Sequence, residues 1–238
     1  PFDFFCGAPG DYQGAYNVKR DCGTVQCASR HDAFGKKFWT WGTARGGMIW
    51  EDLLTDEDGQ YIEIQSGRLP TQGDTWKFEP HMAEQWDEYW YPVKQMQGFV
   101  KANPDAAVNL AARGDSLLAA VNVTREFPNA RIDVSADGVS ILSQSVSLSP
   151  KTAWQQTIPG AGRARCWSLV LRNASGQEIL RCQRPEDVTI PPPELEPEFP
   201  PVETASTEEI YLAGYYALKH WDPVQAAALF EAALEKDP

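Results

Sequence analysis

Residues 185–206 read PEDVTIPPPELEPEFPPVETAS, with proline at 185, 191, 192, 193, 197, 200 and 201 among many glutamates. Proline fixes φ and removes a backbone donor, so neither a helix nor a sheet ladder runs through such a stretch. The segment reads as a semi-extended acidic linker that cannot form a core. The residues on its two sides must therefore fold separately. The 238-residue chain divides into a long part, 1–184, and a short C-terminal piece, 207–238.

The long part changes character near residue 95. From Ala106 to Arg184 short alternating runs dominate: Ala107–Ala111, Leu117–Val123, Arg131–Ser135, Ser145–Leu148 and Trp167–Leu171. Turn signals at Arg113-Gly114-Asp115, Asp137-Gly138, Ser149-Pro150, Pro159-Gly160 and Ser175-Gly176 space them regularly. Many short strands at such spacing predict an immunoglobulin-like β-sandwich over 96–184, although the Cys…Trp…Cys signature is missing. Residues 94–105 (KQMQGFVKANPD) read as a connector. Two glycosylation sequons, Asn122-Val123-Thr124 and Asn173-Ala174-Ser175, carry little weight by themselves.

Residues 1–95 are rich in aromatics. Phe2, Phe4 and Phe5 with Gly7, Pro9 and Gly10 read as a loop, and Gly23–Cys27 as a strand followed by His31. That histidine is a surface or packing residue unless a carboxylate partner gives it a ligand or catalytic role. Phe38-Trp39-Thr40-Trp41 reads as a strand with both indoles on one face, either filling a sheet core or offering a platform for a sugar ring. Met48–Leu54 reads as a short helix or an irregular segment. The acidic run Thr55–Gly59 fails as a calcium loop, because placing Gly59 sixth puts Leu54 first and Gln65 last, where carboxylates are needed. Asp58-Gly59 is then a turn ahead of Tyr61–Gln65. In that strand the period of two sets Ile62 and Ile64 on one face and Tyr61, Glu63 and Gln65 on the other. Arg68, on the next loop, could reach back to the polar face. Trp76–Phe78 and Gln85–Val93 read as two more strands.

After the linker the period becomes helical. Ile210, Ala213, Gly214 and Ala217 form one stripe, Trp221-Asp222-Pro223 interrupts it, and Ala226, Phe230 and Ala233 resume it. Small and large residues alternating in this register resemble a tetratricopeptide repeat over 207–238, with Ala217 standing where an aromatic is usual. The resemblance implies a partner protein or self-association, since one such unit cannot bury its own face.

Bulk properties exclude several classes. A net charge of −12 argues against nucleic acid and against anionic membrane surfaces. No apolar run approaches the ~20 residues that span a bilayer. The five cysteines match no zinc spacing, and neither a metal nor a cofactor is predicted. Cys166 and Cys182 could face each other across strands. The chain opens on Pro1 without a methionine, so it reads as a segment of a longer protein whose compartment is not legible from this end.

GKKFWTWG, with LTDEDGQYIEIQSGR after it, resembles uncharacterised bacterial proteins in which a galactose mutarotase-like (aldose 1-epimerase-like) β-supersandwich precedes tetratricopeptide repeats. Residues 1–95 would then be the C-terminal part of that supersandwich. Ile62-Glu63-Ile64-Gln65 is similar to the Glu-x-Gln strand of mutarotases, which implies Glu63 as catalytic base. Trp39, Trp41, Tyr61, Gln65, Arg68 and His31 would be its sugar-binding neighbours, on a mono- or oligosaccharide. Ring opening needs an acid as well as a base. The family's acid is a histidine on an earlier segment that this chain does not contain, and His31 is the local substitute. Glycoside cleavage would instead need a second carboxylate ~5–9 Å away, drawn from Asp56, Asp58, Glu84 or Glu88. A sugar-binding module without chemistry, and a scaffold whose repeats bind partner peptides, are the other readings.

Overall fold

The structure, a computed structural model, describes residues 2–4, 10–33, 35–75, 77–185, 197–220 and 222–237. It is mainly β, in four antiparallel sheets, and it forms two compact units, 1–71 with 78–190 and 72–77 with 191–238.

In the first unit, β1 (Phe2–Phe4), β4 (Lys37–Thr40) and β5 (Ile62–Gln65) form a sheet in the order β1-β4-β5. Strands β2 (Tyr12–Asn17), β3 (Cys22–Ala28) and β6 (Glu88–Lys94) form a second, in the order β2-β3-β6. The third holds β7 (Lys101–Ala102), β8 (Ala106–Arg113), β9 (Ser116–Val123) and β12 (Trp154–Pro159), ordered β12-β9-β8-β7. The fourth holds β10 (Phe127–Ala136), β11 (Val139–Leu148), β13 (Trp167–Arg172) and β14 (Glu178–Arg184), ordered β11-β10-β13-β14.

The third and fourth sheets enclose one core. Alternate residues Val108, Leu110, Leu117, Ala119 and Val121 meet Ile132, Val134, Leu169, Leu171 and Leu180. Strands β8 and β9 are nevertheless buried on both faces. Their outer residues Ala107 and Ala120 are small enough for a third layer to approach, and Val25, Cys27, Val93 and Met96 of the second sheet and its turn pack there. The two polar outer residues pin that layer: Asn109 donates to the Met96 carbonyl at 2.8 Å, and Asn122 accepts from the Lys94 amide at 3.1 Å. The 94–105 connector is thus an anchored turn with a short strand, and its Met96 is fully buried. Asn122 is itself buried, which removes the first sequon from the accessible surface.

Turn chemistry joins β10 to β11. Asp137 and Gly138 both take positive φ, 49° and 80°, as a two-residue hairpin of the twist-compatible type requires. Cys166 and Cys182 are free thiols, so the bridge considered from sequence is absent. Register explains it: Cys182 lies opposite Leu169, three residues along from Cys166, about 10 Å of strand and beyond disulfide reach.

Asp133 of β10 organises the face of the fourth sheet turned away from this core. It accepts from Arg131 Nε at 2.9 Å, Arg172 Nη1 at 2.8 Å and Ser143 Oγ at 2.7 Å. Partial burial works to raise its pKa, but these hydrogen bonds and the two arginine charges win and hold the carboxyl below its ordinary value. A carboxyl lowered in the folded state stabilises fully above its unfolded pKa of about 3.9, and that contribution vanishes as pH falls through its folded value. Asp133→Asn is therefore expected to cost about 1 kcal/mol at pH 7 and little at pH 2. Urea unfolding of both proteins at the two pH values measures the difference.

Two local expectations are corrected, and one left open between helix and irregular chain comes out as helix. Phe2–Phe4 pair with β4 as a strand instead of lying in a loop, because Phe2 finds Trp39 and Phe4 finds Lys37 across the ladder; Phe5, Gly7 and Pro9 lie outside the described residues. Residues 45–54 form a helix, α1 (Arg45–Leu54), followed by a single 3-10 turn, Asp56–Asp58. Of Trp76–Phe78, Trp76 lies outside the described residues. Lys77 and Phe78 are not strand, since the segment between β5 and β6 is broken by Gly67, Pro70, Gly73 and Pro80.

In the second unit, α2 (Thr207–Lys219) and α3 (Pro223–Lys236) form a hairpin. Ser206 and Glu209 make a reciprocal capping box, and Asp222 caps α3 ahead of Pro223. Ile210, Gly214 and Ala217 face Ala226 and Ala233 as buried residues, with Phe230 against Gly214. Trp221, at the break, lies outside the described residues. Lys219 pairs with Asp74 at 2.9 Å, tying 72–77 to this unit. Ser206→Ala removes the acceptor for the Glu209 amide and is expected to cost about 1 kcal/mol. Faster hydrogen exchange at Glu208–Ile210 in the full chain reports it.

Candidate functional site

Five of the residues predicted from sequence, Trp39, Trp41, Tyr61, Glu63 and Gln65, lie on or directly beside β4 and β5. Antiparallel pairing sets Trp39 directly opposite Glu63 and Lys37 opposite Gln65, so the four side chains share one face. Lys37 is buried and donates to the carbonyls of Gly35 at 3.1 Å and Leu69 at 3.0 Å, which ties the loop after β5 to the base of β4. Gln13 of β2 donates to the Gln65 carbonyl at 2.8 Å. The polar face of β5 is half-buried, as is Ile64 on the other face, while Ile62 is 48% exposed.

Glu63 is held from both sides within its own strand. Tyr61 Oη donates to Oε1 at 3.2 Å and Gln65 Nε2 to Oε2 at 3.3 Å. Among the described residues the carboxylate has no cationic partner. Burial, the hydrogen bond to Glu63 and the Glu63 charge all raise the Tyr61 pKa, so its hydroxyl stays protonated and remains a donor. Each carboxylate oxygen then keeps a second acceptor position for a ligand hydroxyl or a proton. Next to Tyr61 stands Trp41, centroid to centroid 6.0 Å, with Trp50 of α1 at 5.0 Å on Trp41.

The other predicted site residues are placed elsewhere. Arg68 does not reach back: its guanidinium forms an ion pair with Glu84 at 2.6 Å and lies 5.9 Å from the Phe78 ring. The pull of a nearby carboxylate decides that direction, and sequence distance could not reveal it. His31 is exposed in the turn after β3, where its amide donates to Ser29 Oγ at 3.3 Å. None of its described contacts is with Glu63. Of the second-carboxylate candidates, Asp58 pairs with Arg20, Glu84 with Arg68, and Glu88 is taken up by Trp86 and Trp90.

A separate cavity of about 480 Å³ opens between the second sheet and β7, lined among others by Asp11, Tyr12, Cys27, Asp87, Tyr89 and Lys101. Burial pushes the Cys27 thiol up to about 11, so no thiolate nucleophile is available in it at neutral pH. Among the described residues no group of three or more His, Cys, Asp or Glu side chains could hold a metal ion.

Residues 3–93 match a domain of unknown function, DUF5107. Residues 101–182 match the second domain of YphG-like proteins. No solved structure matches the chain. The gap between the two matches, 94–100, is the turn that Asn109 and Asn122 pin. Glu63 and every other predicted site residue fall inside the DUF5107-like region, and the two-sheet β-sandwich accounts for the YphG-like one.

Proposed function

We propose that the chain is a carbohydrate-active or carbohydrate-binding protein whose mutarotase-like sugar site is coupled to a tetratricopeptide-type helical hairpin. One observation carries the reading: the Glu63 carboxylate, oriented by Tyr61 and Gln65, stands opposite Trp39 without a counter-ion among the described residues. A structural carboxylate in such a half-buried place is ordinarily paired; an unpaired one that is held in orientation suits accepting a proton from an anomeric hydroxyl. The aromatic neighbours Trp39, Trp41 and Tyr61 suit the apolar face of a sugar ring. Strand orders β12-β9-β8 and β11-β10-β13-β14 support an immunoglobulin-like sandwich as the intervening domain.

The direct test monitors anomer interconversion of freshly dissolved α-D-glucose and α-D-galactose by polarimetry with the purified chain. Acceleration over buffer supports chemistry at this site. An unchanged rate for both sugars, with no sugar binding by calorimetry, overturns the reading.

A scaffold reading is favoured by a different feature. The helical hairpin carries an open apolar groove lined by Tyr211, Phe230, Ala233 and Leu234, with Tyr211 and Leu234 largely exposed. In a repeat array the next unit or a partner peptide occupies such a groove.

A further inference from the structure

Residues 86, 88 and 90 lie on one face of the segment running into β6, by the two-residue period of extended chain. There the Glu88 carboxylate is caught between two indoles. Trp86 Nε1 donates to Oε1 at 2.9 Å and Trp90 Nε1 to Oε2 at 3.1 Å. Trp86 and Trp90 nonetheless remain 37% and 48% exposed as residues. A tryptophan that fills a core is buried, and one left on a surface by chance has no reason to share a carboxylate with a second. Here the polar end of each indole is satisfied by the same acid, so the two rings are locked in place while their apolar faces stay in contact with water.

We infer that Trp86, Glu88 and Trp90 form a binding platform for the uncharged pyranose rings of an oligosaccharide. The C–H face of a sugar ring packs on an indole, and an indole fixed in advance loses little conformational freedom when it does so. Glu88 is acceptor-only, and each of its oxygens retains acceptor capacity beyond the indole bond. Ring hydroxyls, which donate, complete it; an apolar side chain of a partner protein would not. The same carboxylate, on a chain of net charge −12, disfavours uronic or sulfated sugars. The platform is independent of the chemistry proposed for Glu63. The platform lies on and just before β6, which pairs with β3, and no described hydrogen bond or ion pair joins it to Glu63.

The test is saturation-transfer NMR on the full chain with cellohexaose, xylohexaose and mannohexaose, and with hexagalacturonate as the anionic counterpart. Transfer is expected to at least one neutral hexasaccharide and not to hexagalacturonate, with shifts of the two indole N–H signals assigned to Trp86 and Trp90. Trp86→Ala and Trp90→Ala are each expected to weaken binding about tenfold. Trp90→Phe, which keeps a ring but loses the bond to Glu88, is expected to fall between, and it guards against a variant that fails to fold. Glu63→Gln is expected to leave the platform signals unchanged, which separates failure of one site from failure of the other. Absence of transfer to all three neutral sugars, transfer insensitive to the tryptophan substitutions, or equal binding of hexagalacturonate overturns the proposal.

Discussion

Replacing Glu63 by Gln is expected to reduce sugar turnover by about 10²–10⁴-fold, the range a positioned general base supplies. Gln is nearly isosteric and keeps an oxygen to accept from Tyr61, so the loss falls on proton transfer and not on shape. Sugar affinity is expected to stay within a few-fold, because the tryptophan faces and Gln65 are untouched. The variant is expected to fold normally, since the half-buried carboxylate it removes has no cationic partner among the described residues to strand. Anomer-exchange NMR at saturating sugar measures the rate, and calorimetry the affinity. A rate equal to wild type would sink the assignment of Glu63 as base, whatever the sugar bound.

Gly47→Ala carries a large expected structural effect near this site. Gly47 is buried in the first turn of α1, where the helix passes over the end of β4. A β-carbon there would lie 2.0 Å from the Trp41 carbonyl oxygen and 2.4 Å from that of Gly42. Both obstacles are backbone, so no rotamer change relieves the clash and the helix itself must move. Overpacking of this kind costs about 3 kcal/mol or more. Displacing α1 also separates Trp50 from Trp41, now 5.0 Å apart, and so loosens the wall beside Tyr61. Loss of near-ultraviolet tryptophan dichroism, together with a lower urea midpoint, is the expected signature. An unshifted midpoint would show that α1 does not sit against the end of β4.

Much of the architecture was legible because it rests on short-range patterns. Of the stripes, Ile210, Gly214, Ala217, Ala226 and Ala233 are buried and Ala213 and Phe230 half-buried, and Ser206, Glu209, Asp222 and Pro223 start the helices where capping chemistry requires. The five alternating runs between 107 and 171 are all strands, since turn residues such as Asp137-Gly138 leave the intervening chain few alternatives. β2, β12 and β14, like the short β7 inside the connector, were not legible as strands. The sequences YQGAYN, WQQTIP and EILRCQR of the first three lack clean alternation, and the ladder on either side makes them strands.

The candidate site divides along the same line. Tyr61, Glu63 and Gln65 share a face by periodicity alone, and the hydrogen bonds among them form within one strand. Trp86, Glu88 and Trp90 carry the same two-residue signal, yet nothing local says that both indoles turn their N–H groups to one acid.

The amino-acid sequence by itself determined most of the strands of residues 106–184 and both helices of the C-terminal hairpin, because propensity, period and capping act over a few residues. Only the tertiary structure decided that Trp39 faces Glu63, that Arg68 goes to Glu84, that Cys166 and Cys182 stay apart, and that β8 and β9 are covered on both faces. Those outcomes depend on register and layer packing between residues far apart in the chain. A shift of one residue in any ladder would exchange every partner while leaving the local pattern unchanged.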